Sequence, residues 1–335
     1  MVIFPRNRIT SMIRLILSAA ILLILLSSCT NNSKTPQSLQ PVSVQLAWTH
    51  QSQFAGLYVA DQKGYYAEEK LSVTLIPAGP TIDKLAAILK GNIQFGITSP
   101  DELILARADG KPVKAIAVVY RRSPVVFISL AEKGITRPQD FVGKTIRAPS
   151  NIIPSLKAMM TKVGISPDQY TIVDLPSDLD IFATGEVEVW GSFTNGLLVT
   201  AEQAGYQVDK IYPDDYGVHF YSDTLFTSDS IIEKQPDLVL RFLSATLKGW
   251  TFAVENPGEI PAMELVYDPK LDLKIELVKF TATIPLVNTG EDYNGWMKPD
   301  VWAVMVETLK NYDVLTNPID VTQVYTMQFL DEIYK

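Results

Sequence analysis

The sequence predicts an α/β protein of two similar lobes joined by a two-crossing hinge, and three observations carry that expectation. Strand-like apolar runs alternate with segments of helical spacing from Val42 onward, the order that builds a mostly parallel sheet. Once the N-terminal leader is set aside, roughly 300 residues remain, more than one domain usually holds, and the 47% apolar content can fill two cores. A helix, a glycine and a strand also occur twice in that order, as LAAILKGNIQF from Leu85 and LDIFATGEVEV from Leu179. Two lobes of like build would produce that echo; so would any helix capped by glycine before a strand.

The leader comes first. Arg6, Arg8 and Arg14 precede the apolar run Leu15 to Leu26, which ends in Leu26-Ser27-Ser28-Cys29, a secretory signal followed by a lipobox. About a dozen apolar residues fall short of the roughly 20 that span a bilayer, so 1–28 is read as a cleaved signal peptide. Cys29, the only cysteine, then becomes the lipidated first residue, held to the cell membrane by acyl chains worth about 0.8 kcal/mol per buried methylene. A lone cysteine allows no disulfide within the chain. Residues 29–40 are polar and aperiodic and read as a flexible tether.

The folded part follows. Val42 to Ala47 reads as a strand, Phe54 to Lys63 as a helix before Gly64, and Leu71 to Pro77 as a second strand. Thr81 to Lys90 is a helix closed by Gly91, and Ile93 to Ile97, Glu102 to Ala108 and Val113 to Tyr120 continue the alternation. Val125 to Leu130 opens the second lobe, which continues through Lys144 to Ala148, Asn151 to Val163, Tyr170 to Asp174 and Val187 to Trp190. Val218 to Phe226 is read as extended, and Ser230 to Val254 as long amphipathic helix bracketed by Pro236 and Pro257. Val301 to Lys310 and Val321 to Tyr334 are read as helices packing on the first lobe. The lobes are thus 41–122 with 218–335, and 123–217, with crossings near Tyr120 to Pro124 and Tyr216 to Tyr221.

The composition argues against several functions. Losing three arginines with the leader takes the formal charge from −8 to about −11, unsuited to nucleic acid, which needs a basic stripe. His50 and His219 are the only histidines, and without a second cysteine no metal-ligand spacing exists. No Gly-x-Ser-x-Gly elbow, Walker loop or Gly-x-Gly-x-x-Gly occurs. Glu186 and Glu188 sit two apart on one strand face, which reads as a solvated face. No catalytic residue, metal or cofactor is expected.

Aromatic, amide and hydroxyl side chains do collect at strand ends, where open α/β sheets bind ligands. Trp48 to Gln53, Thr98-Ser99, Tyr120 to Ser123, Pro149 to Asn151 and Trp190 to Asn195 all fall there. The residues expected to bind ligand are Trp48, Gln53, Phe54, Tyr58, Ser99, Tyr120, Asn151, Trp190, Phe193, Asn195 and Tyr216. Rings in that position suit a flat heteroaromatic solute, because a stacked pair adds about 0.5–1.5 kcal/mol. Tyr58, Tyr65 and Tyr66 beside the first helix, and Trp250, Trp296 and Trp302 near the C-terminus, are better explained by packing than by ligand contact.

The run QLAWTHQSQFAGLYVA from Gln45, then Lys63-Gly64-Tyr65-Tyr66 and Leu71-Ser72-Val73, resembles the opening of the SsuA/THI5-like (NMT1-type) solute-binding proteins. The resemblance continues through Gly91 to Ile97, Asp140 to Ile146, Gly185 to Glu188 and Pro236 to Phe242. It implies a type II periplasmic-binding fold, a monomer, and an ABC importer's permease and ATPase as partners. It also implies a sulfonate, a nitrate-like anion, a thiamine pyrimidine precursor or riboflavin as ligand.

The opening is most similar to the pyrimidine and riboflavin branch, where pyrimidine binders typically carry Asn-x-Asn-His-x-Gly. This chain has Gln51-Ser52-Gln53-Phe54-Ala55-Gly56, with Phe54 at the histidine position. The fungal synthases of the family consume that histidine and carry a cysteine-rich motif, and this chain has neither. A phenyl ring in place of imidazole exchanges a hydrogen-bonding edge for stacking area, so riboflavin is the favoured ligand and a formylaminopyrimidine-type precursor the next. Hinge closure over the ligand is the expected mechanism, with Trp48 and Phe54 walling the ring from one lobe, Ser99 and Tyr120 as floor, and Trp190, Phe193 and Asn195 closing from the other.

Overall fold

A computed structural model of the chain describes residues 38–79 and 82–335. The leader, Cys29 and most of the expected tether lie outside the described residues. Gln40, expected as the tether's last residue, is already in a strand, its N–H bonded to Lys70 O at 2.8 Å.

Among the described residues ten strands form two five-stranded sheets. The first has the order β2-β1-β3-β10-β4, built from β1 (Gln40–Gln45), β2 (Leu71–Ile76), β3 (Phe95–Thr98), β4 (Val113–Val118) and β10 (Thr224–Ser228). The second has the order β7-β6-β8-β5-β9, built from β5 (Val125–Leu130), β6 (Thr145–Arg147), β7 (Thr171–Val173), β8 (Val189–Phe193) and β9 (Val208–Ile211). The first three strands of the first sheet run parallel, as do β7, β6 and β8 of the second. In each sheet one strand, β10 or β5, is antiparallel to both its neighbours. The chain therefore builds the same sheet twice, as two α/β lobes.

Two segments cross between the sheets, one from β4 to β5 and one from β9 to β10. They hydrogen-bond to each other: Val119 N–H donates to Asp223 O at 2.7 Å, and Ser222 N–H to Tyr120 O at 2.9 Å. Pairing the crossings satisfies backbone groups that are buried here, where an unpaired amide is costly. It also makes this junction the floor of the space between the lobes.

The longest helix among the described residues, Pro236–Glu255, packs on Ala55–Gln62 at very close range. A β-carbon on Gly249 would lie 2.1 Å from Gly56 O, and one on Gly56 would lie 2.3 Å from the Trp250 ring. Both positions need hydrogen as the side chain, because nothing larger fits between the two backbones. The sequence predicts one helix from Ser230 to Val254. The structure has two, Asp229–Lys234 and Pro236–Glu255, because Pro236 cannot donate to the preceding turn and starts a new helix at its first position. Val321 to Tyr334 likewise reduces to a short 3-10 turn and the helix Gln328–Ile333.

The helix Leu273–Val287 has no counterpart in the sequence reading. Asp272 caps it, accepting from Lys274 N and Ile275 N. It packs on the turn Ser52–Phe54 of the first lobe and on the helix Leu197–Gln203 of the second. Among the described residues no helix is long and apolar enough to cross a membrane.

Candidate functional site

A cleft with a cavity of about 180 Å³ opens between the two sheets at their strand ends. Its first-lobe wall is the turn after β1, with Trp48, Gln51 and Gln53, together with Ser99 after β3 and the pair Lys84 and Glu102. Its second-lobe wall is Arg147 at the end of β6, Asn151, Ser177, Ser192, Phe193 and Asn195, and its floor is Ser222 and Asp223 from the crossing.

Six of the expected residues line this cleft: Trp48, Gln53, Ser99, Asn151, Phe193 and Asn195. Trp48 is 39% exposed and faces the space from the first lobe. Phe193 is half-buried at the end of β8 and lines it from the second. These two rings are the aromatic side chains of the lining.

The other expected residues lie behind the walls. Phe54 is fully buried in the main core, since the turn Ser52–Phe54 leads into a helix whose apolar face points away from the cleft. Its ring adds no stacking area to the ligand space. Tyr58, also fully buried, stacks on Tyr267 with centroids 4.5 Å apart. Its hydroxyl accepts from Gln51 N–H at 3.2 Å and meets His50 Nδ1 at 3.1 Å, so it braces the wall from beneath.

Trp190 is buried in a separate second-lobe core against Phe182, its Nε1–H donated to Val187 O at 3.0 Å. β8 is buried on both faces, so a ring near its end can turn into the core as readily as toward the ligand space. Tyr120 is fully buried under the floor. Its hydroxyl donates to Gln53 O at 3.4 Å and receives Asn195 Nδ2–H at 3.1 Å. Tyr216 ends a 3-10 turn and packs on the core away from the cleft.

A polar chain organises the floor. Gln51 Nε2 donates to Gln53 Oε1 at 2.6 Å, and Gln53 Nε2 donates to Asp223 Oδ2 at 2.7 Å. Burial pushes the Asp223 carboxyl up to about 7, against the opposing pull of the Gln53 hydrogen bond. Asp223 therefore sits at the floor able to be either acid or carboxylate near neutral pH. Lys84 pairs with Glu102 at 3.5 Å, and Glu102 also receives the Thr98 hydroxyl.

Beneath the first-lobe wall lies a buried acid pair. Glu276 Oε2 accepts Ser52 N–H at 3.0 Å, and its Oε1 takes Lys279 Nζ at 2.7 Å. Glu264 is fully buried beside it, with no donor group on either oxygen. Burial and then the neighbouring Glu276 charge push the Glu264 carboxyl up to about 9. Glu264 is thus held protonated at neutral pH beside Glu276.

The family model described as "NMT1/THI5 like" matches residues 51–260, a span that holds the second-lobe wall, the floor and all of the first-lobe wall after Trp48. The chain belongs to the NMT1/THI5-like family. It is 29% identical to a formylaminopyrimidine-binding protein of Halalkalibacterium halodurans, over 91% of this chain and 95% of that one. It is 25% identical to the riboflavin-binding protein RibY of Chloroflexus aurantiacus, over 88% and 87%. A 4-amino-5-hydroxymethyl-2-methylpyrimidine phosphate synthase of Legionella pneumophila is 27% identical over 87% and 92%.

Among solved structures, the aliphatic sulphonate-binding protein SsuA of Escherichia coli superposes with a TM-score of 0.67 at 15% identity, covering 85% of this chain and 91% of that one. The zinc-bound ligand-binding component of an ABC-type import system from Staphylococcus aureus gives 0.70 at 14%, covering 88% and 99%. The fold of this NMT1/THI5-like chain is the type II periplasmic-binding fold.

Sequence reasoning missed Lys84, Glu102, Arg147, Ser177, Ser222 and Asp223 in the lining. Arg147 and Asp223 did leave a signal, as single charges set inside the apolar stretches TIRAP and YSDTLF. Arg121 and Arg122, the adjacent cations considered for an anionic ligand, lie outside the lining. Arg121 pairs with Asp292 at 2.6 Å and Arg122 approaches Glu291 at 3.6 Å. Among the described residues no cluster of three or more His, Cys, Asp or Glu side chains could hold a metal ion.

Proposed function

We propose that the chain is the extracytoplasmic solute-binding subunit of an ABC importer, and that it captures a small planar heteroaromatic ring, best matched by an aminopyrimidine of the formylaminopyrimidine kind. The observation that carries this reading is the placing of Trp48 and Phe193 on opposite lobes above the floor carboxyl of Asp223, which Gln53 of the first-lobe wall holds. Two rings from opposite lobes can stack a flat solute only when the lobes are together, so binding favours the closed form by differential affinity. Permease and ATPase partners and an acyl anchor on Cys29 complete the proposal.

The floor supplies the edge recognition. An aminopyrimidine presents an exocyclic N–H next to a ring nitrogen, a donor beside an acceptor. Asp223 near its titration point matches either protonation state of that edge, as acid or as carboxylate. The cavity of about 180 Å³ is smaller than the roughly 300–1,000 Å³ that drug-sized ligands occupy, which favours one ring over three. Riboflavin, expected from Phe54, drew on ring area that Phe54 does not supply to the cleft. The mechanism is reversible capture and release.

The test is a fluorescence and calorimetric titration of the full chain with formylaminopyrimidine, riboflavin and an alkanesulfonate. Saturable binding of the pyrimidine with quenched tryptophan emission is the expected result. Tight riboflavin binding without pyrimidine binding would replace the ring assignment, and binding of the sulfonate alone would remove the stacking reading altogether.

A further inference from the structure

Arg147 ends β6 on the second-lobe wall and is only 7% exposed. Its Nε–H donates to Leu175 O and its Nη1–H to Gly191 O, each at 2.8 Å. Its guanidinium also lies over the Trp190 ring, 5.7 Å from the centroid. These three contacts fix the plane of the group, and both hydrogen-bond acceptors are neutral carbonyls. A guanidinium has five N–H donors; two are used, and Nη2 has no hydrogen-bond acceptor among the described residues.

The charge of Arg147 is also uncompensated. No carboxylate of the described residues lies within ion-pairing distance of it, whereas the cleft's other cation, Lys84, has Glu102. Burial lowers the pKa of Arg147, opposed only by the more distant Asp174. A buried cation without a counter-charge is costly, and a guanidinium does not escape that cost by shedding its proton. Asn151 and Ser177 line the cleft with it and offer further hydrogen-bonding groups.

We propose that Arg147 is a specificity-determining residue that seats an anionic oxygen group carried by the ligand at the second-lobe end of the cleft. The inference rests on the ring-binding reading and adds to it: the ring lies between Trp48 and Phe193, and a carboxylate or phosphate joined to it reaches the free donors of Arg147. Both anions present a pair of oxygens that a planar guanidinium fork matches. The ligand class is therefore an acidic derivative of a small heteroaromatic ring, and the anion supplies the counter-charge that the described side chains do not.

The experiment measures affinities of the full chain for matched pairs: 4-amino-5-hydroxymethyl-2-methylpyrimidine against its phosphate monoester, and riboflavin against its 5′-phosphate. The corresponding pyrimidine 5-carboxylate tells a general oxyanion seat from one that needs phosphate. The anionic member is expected to bind at least about tenfold more tightly in the pair whose ring is accepted. Arg147→Gln should bring that ratio to within about twofold, the anionic member losing the larger share of its affinity, and Arg147→Lys should fall between.

Equal binding of neutral and anionic members overturns the Arg147 proposal and leaves the ring reading intact. A preference confined to the flavin pair keeps the proposal and changes the ring assignment. If no member of either pair binds, both fall. Should Arg147→Gln fail to fold, the ratio in the unaltered protein still decides.

Discussion

Gln53 Nε2 donates to Asp223 Oδ2 at 2.7 Å across 170 residues of sequence, joining the turn after the first strand to the crossing before β10. Both side chains are buried, each 5% exposed. The bond holds one wall to the floor and leaves the second carboxyl oxygen of Asp223 for a ligand edge.

Asp223 titrates near 7 in the folded chain and near 3.9 when unfolded. Between those values the native state holds a proton that the unfolded state has lost, so stability falls as pH rises from about 4 to about 7. Three units set a ceiling of about 4 kcal/mol on that loss. Asp101, also pushed up to about 7 by burial, contributes in the same direction. Urea unfolding at intervals from pH 5 to 8 should show a shallower decline in Asp223→Asn than in the parent. An unchanged slope would refute the assignment.

Trp48 and Trp190 should separate binding from folding. Trp48→Ala removes an exposed ring and should change stability by less than about 0.5 kcal/mol while weakening ligand binding roughly tenfold or more. Trp190→Ala empties a fully buried site and should cost about 3–5 kcal/mol of stability. Thermal melts beside ligand titrations check both, and loss of affinity without loss of stability in the Trp190 variant would reverse their roles.

Asn195 ties the lobes. Its Nδ2 donates to Tyr120 Oη at 3.1 Å and to Thr283 Oγ1 at 2.9 Å. At about 0.5–1.5 kcal/mol per bond, Asn195→Ala should shift the ligand-free protein toward more separated lobes and weaken binding about five- to thirty-fold. Small-angle scattering with and without ligand measures the shift; identical profiles for parent and variant would show that these bonds do not hold the lobes together.

The acid pair under the first-lobe wall gives a contrast of its own. Glu264→Gln keeps a neutral group of the same size beside Glu276 and should stay within about 1 kcal/mol of the parent below pH 8, because the acid it replaces is itself uncharged there. Glu276→Ala strips the acceptor from Ser52 N–H and Lys279 and should cost about 3 kcal/mol. With a folded pKa near 9, Glu264 gives stability that declines as pH climbs from about 4 toward 9. Denaturant midpoints for the two variants test the ordering.

Gly249→Ala should destabilise by at least about 3 kcal/mol, since the added carbon would meet the backbone oxygen of Gly56 at 2.1 Å and no side chain can rotate away. A melt within two degrees of the parent would show that the two helices can part.

Much of the architecture was legible because strands and helices alternate and glycines punctuate them, as at Gly91 and Gly185. Positions at strand ends were legible too, which is how Trp48, Ser99, Asn151 and Phe193 could be named. Which way a ring turns was not. Alternation puts Trp190 and Phe193 on opposite faces of β8, but the strand is buried along most of its length, so the pattern does not say which face meets the core and which reaches the cleft. Phe54 and Tyr58, four apart on one helical face, carried a sign of core packing that strand-end position overrode. The helix Leu273–Val287 was hidden because it contains Pro285 and its apolar residues form no clean stripe.

That helix has one further consequence. Through Glu276 it holds Ser52, and through Thr283 it holds Asn195, so a single rod sets the spacing of both jaws without presenting a surface to the guest. Drift in its side chains can retune what the receptor accepts while every residue lining the chamber stays the same, and comparisons of lining residues alone will then misjudge which relatives share a cargo.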